Sequence, residues 1–170
     1  TCALPILNIK EEIRRMCREK NAVIMAHYYT DGEIQDMADF VGDSLALAQK
    51  AATTDADIIV MCGVHFMGET SKILCPDKKV LVPDLEATCS LAESCPADKF
   101  AEFVAEHPGH TVISYVNTTA ATKAVTDIVV TSSNAREIVE SLPQDTPIIF
   151  GPDRNLGGYI NSITGRNMLV

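Results

Sequence analysis

The sequence has no tryptophan, few aromatic residues (5%) and few basic ones, with 14 Lys and Arg against 23 Asp and Glu. Because no run of Lys or Arg matches a phosphate backbone, we exclude nucleic acid as a partner class. No apolar run approaches the roughly 18 residues of a membrane-spanning helix, so a membrane protein is excluded as well. A hydrophobic content of 46% over 170 residues instead indicates a globular chain with a substantial core.

Several motifs of metal and nucleotide sites are also missing. The sequence has no Cys-x-x-Cys, His-Glu-x-x-His, Gly-x-Gly-x-x-Gly or Gly-x-x-x-x-Gly-Lys, which argues against zinc sites, dinucleotide sites and phosphate loops. Six cysteines are present, but the first residues lack the pattern of a secretion signal. We therefore expect reduced thiols and a cytoplasmic location.

Short apolar runs alternate with helical patterns along the whole chain. This rhythm predicts an α/β fold made of repeated small three-layer αβα domains, with parallel sheets of three or four strands. The similar rhythm of the two halves suggests a duplication, although no convincing sequence repeat is visible. The predicted strands are 22–26, 57–61, 79–82, 111–115, 127–130 and 147–150.

The polar loop 83–96 is the best candidate for a boundary between two domains. We expect a first domain at 1–90, with an N-terminal helix capped by Asn8, and a second domain at 91–170. The chain stops inside an apolar run at Met168-Leu169-Val170, which we expect to begin another strand, so we expect a fragment. The other predicted helices are 33–40, 44–52, 66–74, 97–106, 118–125, 134–142 and 155–163.

Two side chains with acid–base chemistry follow the first predicted strand. His27 and Tyr29 occupy alternate positions, which lie on one side of an extended chain. His27 is suited to donate to a carboxylate or to act as acid and base, and Tyr29 to donate to an oxyanion. The alternative is a histidine at the rim of the fold and a packed tyrosine.

Uncharged hydrogen-bond donors recur where predicted strands lead into helices. Ser44, the run Tyr115-Val116-Asn117 and Ser132 all occupy such junctions. Ser44 alone is explained by a position at the start of a helix. Together, three such junctions in an acidic chain predict a site for a small dicarboxylate, because helix N-termini attract anions locally.

One cysteine stands apart from the others. Cys89 lies in a polar loop after a strand, whereas Cys17 and Cys62 lie in apolar patterns typical of core residues. Thiolate ligation of iron suits Cys89, but one cysteine cannot hold a cluster. Cys95 remains open as a second ligand, a disulfide partner or a bystander. We interpret His65 as a structural residue, because it is not part of a His-Glu-x-x-His motif.

Six motifs occur along the chain in this order: Ala26-His27-Tyr28-Tyr29, Gly42-Asp43-Ser44-Leu45, Val64-His65-Phe66-Met67-Gly68-Glu69-Thr70, Ala87-Thr88-Cys89-Ser90-Leu91, Tyr115-Val116-Asn117-Thr118 and Thr131-Ser132-Ser133. Together they resemble quinolinate synthase. The resemblance implies a transferase of NAD biosynthesis that condenses iminosuccinate with dihydroxyacetone phosphate, releasing quinolinate, phosphate and water. It also implies three αβα domains around a pseudo-threefold axis, each of which gives one cysteine to a [4Fe–4S] cluster whose open iron acts as a Lewis acid.

The resemblance assigns a role to each matching residue. Cys89 is implied as a cluster ligand, and Cys95 as part of a Cys-Pro pair that is not one. Tyr29 is implied to position and transform the triose-derived part, with His27 beside it as the second catalytic residue. The residues implied to bind iminosuccinate are His27, Ser44, Tyr115, Val116, Asn117 and Ser132.

The resemblance also implies what this chain does not contain. The other two cluster cysteines, a catalytic His-x-Glu and the third domain are expected beyond Val170, so we expect this chain alone to be inactive and to self-associate as a homo-oligomer. A functional link to the enzyme that oxidises L-aspartate follows from the same resemblance. Two alternatives stay open: a non-enzymatic dicarboxylate-binding module, and a metal hydrolase or redox protein that uses His27, His65, Cys89 and Cys95.

Overall fold

The computed structural model describes residues 6–170, with side chains from Ile9 onward. The chain divides into a first unit that ends at Ala87 and a second unit, Thr88–Val170. Over its described residues the first unit contains α1 (Ile6–Glu19), β1 (Ala22–His27), α2 (Gly32–Met37), β2 (Phe40–Gly42), α3 (Ser44–Thr53), β3 (Ile58–Cys62), α4 (His65–Leu74) and β4 (Lys79–Leu81). The second contains α5 (Ser90–Glu93), α6 (Ala97–Glu106), β5 (Thr111–Tyr115), α7 (Ala120–Lys123), β6 (Ile128–Val130), α8 (Ala135–Ser141), β7 (Ile148–Gly151) and α9 (Arg154–Thr164).

Each unit is built on one parallel sheet. The strand order is β2-β1-β3-β4 in the first unit and β6-β5-β7 in the second, and every pairing within the named strands is parallel. The predicted α/β fold with parallel sheets of three or four strands is confirmed. The central strands β1 and β5 are largely buried, as expected for strands covered by helices.

The two units repeat one arrangement around their central strands. β1 pairs with β2 from Met25↔Phe40 to His27↔Gly42, and β5 pairs with β6 from Ile113↔Ile128 to Tyr115↔Val130. Every partner in the second set lies 88 positions after its counterpart in the first, as 113 follows 25. The duplication suggested by the sequence rhythm is therefore visible as a constant offset in this pairing. On the other side of the central strand the register is shifted by one residue, since Ile24 pairs with Val60 and Val112 with Ile149.

An aspartate fixes this register in both units. Asp39 accepts a hydrogen bond from the Ile24 amide at 2.8 Å and returns its own amide to the Ile24 carbonyl. Asp127 makes the same pair of bonds with Val112. Each aspartate directly precedes the short edge strand of its unit, β2 or β6. The two bonds therefore join the start of that edge strand to the central strand.

Three predictions about local structure are wrong, and a fourth is confirmed only in part. The helix predicted at 33–40 ends at Met37, because Asp39 turns the chain into β2. Asn8 lies inside α1 and does not cap it. The predicted loop 83–96 contains the short helix α5. The expected final strand forms a single parallel bridge between Leu169 and Ile149.

The described residues include no helix that is both long and apolar enough to cross a bilayer.

Candidate active site

His27 ends the central strand of the first unit and is 7% exposed. Its Nδ1 accepts the backbone N–H of Tyr29 at 3.2 Å, so the neutral ring carries its proton on Nε2. Burial lowers the pKa of His27, and the Asp43 carboxylate opposes this with a smaller effect. His27 is therefore a neutral Nε2–H donor at neutral pH.

Tyr29 lies beside His27 but in a different environment. The two rings are 4.6 Å apart between centroids, and Tyr28 meets the Tyr29 ring edge-on at 5.0 Å. Tyr29 is 85% exposed, whereas the imidazole is buried. The phenol is thus held next to a fixed donor while it stays open to solvent.

Ser44 is the first residue of α3, and Asp43 is the cap of that helix. The Asp43 side chain accepts the Ala46 amide at 2.7 Å, and its carbonyl accepts the Leu47 amide. The amides of Ser44 and Leu45 have no partner within the helix, as at any helix start. Because capping is done by Asp43, the half-buried Ser44 hydroxyl is not needed for it.

In the second unit the site residues follow the central strand β5. Tyr115 is its last residue, and the buried Val116 donates its amide to the Val130 carbonyl at 2.8 Å. The Asn117 side-chain amide lies 3.5 Å from the Cys89 sulfur. Tyr115, Asn117 and Cys89 are all half-buried. The chain from β5 therefore brings an amide donor to the thiol that the sequence singled out.

Ser132 lies exposed in the turn between β6 and α8. That turn is held by the Asn134 side chain, whose Oδ1 accepts the Thr131 amide at 2.8 Å. The neighbouring Ser133 hydroxyl is paired with the Thr131 hydroxyl at 2.8 Å. Both serines are exposed, and they differ because the Ser133 hydroxyl is bonded within the turn.

Of the described cysteines, Cys75 and Cys95 are buried, whereas Cys17, Cys62 and Cys89 are half-buried. Cys17 and Cys62 are therefore less buried than the core residues that the sequence predicted. Cys95 is buried with Phe100, Val112 and Ile149, and burial raises its pKa against a smaller lowering by a hydrogen bond with Thr122. Cys89 occupies the cap position of α5 but makes no side-chain cap bond. Cys2 lies outside the described residues, and the five described cysteines are all free thiols: Cys17, Cys62, Cys75, Cys89 and Cys95.

The predicted site residues occupy equivalent positions in the two units. His27 corresponds to Tyr115, Tyr29 to Asn117, and Ser44 to Ser132, each pair again 88 positions apart, as 115 follows 27. All six lie at the carboxyl ends of the strands, where parallel α/β sheets place ligands. Two further residues hold these strand ends, Gln35 and Lys123, and sequence reasoning missed both. Their common offset of 88 becomes a signal only once the strand pairings align the two units.

A sequence profile of the family described as quinolinate synthetase A protein matches residues 11–170. The chain belongs to the quinolinate synthase family. It is 58% identical over 162 residues to a quinolinate synthase from Prochlorococcus marinus (strain MIT 9313), covering 95% of this chain and 49% of that protein. It is 60% identical over 164 residues to one from Thermosynechococcus vestitus, covering 96% and 51%. A quinolinate synthase from Synechocystis is 61% identical over 158 residues, covering 93% and 50%.

The chain spans about half the length of these curated relatives. Within the part of the chain that the structure describes, no group of three or more His, Cys, Asp or Glu side chains is placed to hold a metal ion. Cys89, with an amide donor at its sulfur and no cap bond to compete, fits one ligand position of an iron–sulfur cluster.

Proposed function

We propose that this chain forms the front part of a quinolinate synthase that condenses iminosuccinate with dihydroxyacetone phosphate to quinolinate, phosphate and water. The reaction supplies the pyridine ring of NAD and uses the product of L-aspartate oxidation. The observation that carries the proposal is the recurrence of uncharged donors at equivalent strand ends of two repeated units. The family membership of the chain supports it.

Carboxylate binding is the task that these strand ends suit best. His27 offers its Nε2–H as a neutral donor, because burial lowers its pKa and so keeps the ring uncharged at neutral pH. Ser44 offers its hydroxyl and the first amides of a ten-residue helix. In the second unit the donors are Tyr115, Asn117 and Ser132. Iminosuccinate carries two carboxylates, and each unit by itself offers more than one such donor.

Tyr29 is proposed to act on the triose-derived part of the substrates. Its phenol is exposed and stands 4.6 Å, ring to ring, from an imidazole whose Nδ1 is occupied by the Tyr29 amide. This fixes the backbone of Tyr29 while its hydroxyl remains free to donate to, or accept a proton from, an oxygen of the triose.

Cys89 is proposed to hold one iron of a [4Fe–4S] cluster. A bound cluster would supply Lewis acid chemistry for the loss of water. Asn117 would donate to the ligating sulfur, and its backbone belongs to the substrate-binding run that begins at Tyr115. The other ligands are proposed to come from parts of the full-length synthase outside this sequence. The cytoplasmic location and the homo-oligomer stay predictions.

The proposal is tested by assaying quinolinate from iminosuccinate and dihydroxyacetone phosphate, under anaerobic conditions, with the iron-loaded full-length synthase and with this 170-residue chain. We expect product from the former and none from the latter. Malate binding without any quinolinate from the full-length protein would favour the dicarboxylate-binding module instead.

A pair of adjacent serines offers a matched control for carboxylate binding. Ser132→Ala in the full-length synthase is expected to weaken malate binding by about tenfold to 150-fold, as for one lost hydrogen bond to a charged group. Ser133→Ala removes a hydroxyl that pairs with Thr131 and is expected to leave the affinity unchanged. Equal affinities in both variants would remove Ser132 from the site.

A further inference from the structure

We propose that Gln35 and Lys123 are equivalent positioning residues, which hold the two turns that carry Tyr29 and Asn117. The proposal rests on the proposed function, since it explains how the site residues of that function keep their places. We call each arrangement, one side-chain nitrogen bonded to the two carbonyls that flank a site residue, a carbonyl clamp.

The first carbonyl clamp is made by an amide. Gln35 lies in α2, and its Nε2 donates to the Tyr28 carbonyl at 3.1 Å and to the Thr30 carbonyl at 2.7 Å. These two carbonyls belong to the residues on either side of Tyr29. Both hydrogens of one amide nitrogen are therefore used on the turn that presents the phenol.

The second carbonyl clamp is made by an ammonium group. Lys123 ends α7, and its Nζ donates to the Val116 carbonyl at 2.9 Å and also to the Thr118 carbonyl. The Thr118 hydroxyl lies 3.2 Å from the same nitrogen. The two carbonyls flank Asn117, whose amide faces the Cys89 sulfur.

The two clamps coincide in position although they differ in chemistry. Lys123 lies 88 positions after Gln35, and the carbonyls of Val116 and Thr118 lie 88 positions after those of Tyr28 and Thr30. A shared position with two different side chains indicates that the fold requires a donor there. Fixing two carbonyls separated by one residue restricts the backbone of the residue between them, which orients its side chain.

Lys78, in the first unit, also bonds two backbone carbonyls through one nitrogen, but at a different place in the fold. Lys78 donates from Nζ to the carbonyls of Thr54 and Ala56, both at 2.7 Å. These carbonyls precede β3, and Lys78 itself precedes β4, so this bond set lies at the amino ends of the strands. Lys78 is therefore a control for the loss of a lysine that ties two carbonyls but holds no site residue.

The experiment compares Gln35→Met, Lys123→Met and Lys78→Met in the iron-loaded full-length synthase. Methionine removes the donor; its side chain matches glutamine in length and is one atom shorter than that of lysine. Two exchange variants, Gln35→Lys and Lys123→Gln, restore a donor of the kind that the other unit uses. The readouts are malate affinity by calorimetry, amide hydrogen exchange of peptides covering 28–31 and 115–119, and the midpoint of urea unfolding.

We expect Gln35→Met and Lys123→Met each to weaken malate binding by about tenfold and to accelerate exchange selectively in their own turn. Lys78→Met is expected to lower the unfolding midpoint while malate affinity and exchange in both turns stay at their wild-type values. The exchange variants are expected to recover most of the affinity.

A purely structural role would overturn the proposal. It would give Lys123→Met and Gln35→Met the behaviour of Lys78→Met, with lower stability, uniform acceleration of exchange and unchanged affinity. Absence of malate binding and of quinolinate formation in the wild type would refute the proposed function. The exchange data would then still decide whether the two residues hold their turns, because that readout needs no ligand.

Discussion

The carboxyl ends of the two sheets have the same backbone arrangement but carry different side chains. His27, Tyr29 and Ser44 in the first unit correspond to Tyr115, Asn117 and Ser132 in the second. The first set contains a buried imidazole and an exposed phenol, whereas the second places an amide against a thiol. The same backbone arrangement therefore presents different functional groups in the two units. We call this shared arrangement the frame.

The frame itself is held by residues that the two units have in common. Asp39 and Asp127 tie the edge strand to the central strand with the same two bonds, and the carbonyl clamps of Gln35 and Lys123 hold the turns beyond it. Because these bonds fix the backbone, the residues between them are free to differ. The comparison thus separates residues that hold the backbone from residues that we propose to act on substrate.

The largest expected effect concerns Tyr29, the proposed acid–base residue of the first unit. Tyr29→Phe removes the hydroxyl and is expected to reduce quinolinate formation by the full-length synthase by about 10²–10⁴-fold, the range for a lost acid–base group. Because Tyr29 is 85% exposed, the free energy of unfolding should change by less than about 0.5 kcal/mol.

The neighbouring phenol is the control for Tyr29. Tyr28 is also exposed and adjoins the same imidazole, but its side chain has no proposed role. Tyr28→Phe should keep near wild-type turnover. A comparable loss of activity in both variants would show that the aromatic cluster as a whole matters, and not the Tyr29 hydroxyl.

The second prediction tests whether the frame is equally important in both units. Asp39→Ala and Asp127→Ala each remove a carboxylate that accepts a strand amide at 2.8 Å. We expect each to lower the free energy of unfolding by about 1.5–3 kcal/mol, the value for a hydrogen bond to a charged group. Urea unfolding followed by circular dichroism measures this.

Asp39 also faces Arg14 at 3.4 Å in an ion pair with both side chains more than 40% exposed. Arg14→Ala therefore isolates that contribution, which should be about 0–1 kcal/mol. If Arg14→Ala cost as much as Asp39→Ala, the ion pair and not the strand bond would account for the loss. A silent Asp127→Ala would break the equivalence of the two units.

The third prediction concerns Cys89, the thiol that faces the Asn117 amide in the second unit. Asn117→Ala removes the amide that faces the Cys89 sulfur. Because hydrogen bonds to a ligating sulfur stabilise the more negative, reduced cluster, the reduction potential of the loaded full-length synthase should fall. A redox titration followed by electron paramagnetic resonance measures the shift.

Asn134→Ala is the matched change for Asn117. It removes an asparagine of the same unit whose side chain accepts the Thr131 amide. The reduction potential should stay at the wild-type value in this variant. A potential that does not move in Asn117→Ala would mean that the amide serves substrate alone.

Much of this fold could be predicted from the sequence, because buried parallel strands are short apolar runs between helical patterns. Of the strands in the described residues, β2 alone was missed. It has three residues and begins at Phe40, whose side chain fits the preceding helical pattern equally well. Edge strands this short are defined by their partners, here by the bonds between Asp39 and Ile24, and not by their own periodicity.

The site was predictable only in part, for a related reason. His27, Tyr29 and Cys89 were singled out because their chemistry is unusual after an apolar strand, and their roles stay predictions. Gln35 and Lys123 resemble ordinary surface residues of helices, since a clamp is defined by where distant carbonyls lie. Aligning the two units at an offset of 88 would have paired them, but the helices between differ too much for the repeat to be visible.

The smallest expected effect is the pH dependence that only the first unit has at this position, since Tyr115 replaces the imidazole in the second. Burial lowers the pKa of His27 in the folded state, whereas the unfolded value is about 6.5. Between these two pKa values the unfolded chain binds more protons than the folded chain. The contribution of His27 to the free energy of unfolding is therefore fully present above about pH 6.5 and is lost as the pH decreases toward the folded pKa. His27→Gln, which cannot titrate, should lose this part of the slope. Urea unfolding of both proteins at about pH 7.5 and 5.5 measures it, and parallel losses of stability would show that His27 is not the residue that titrates.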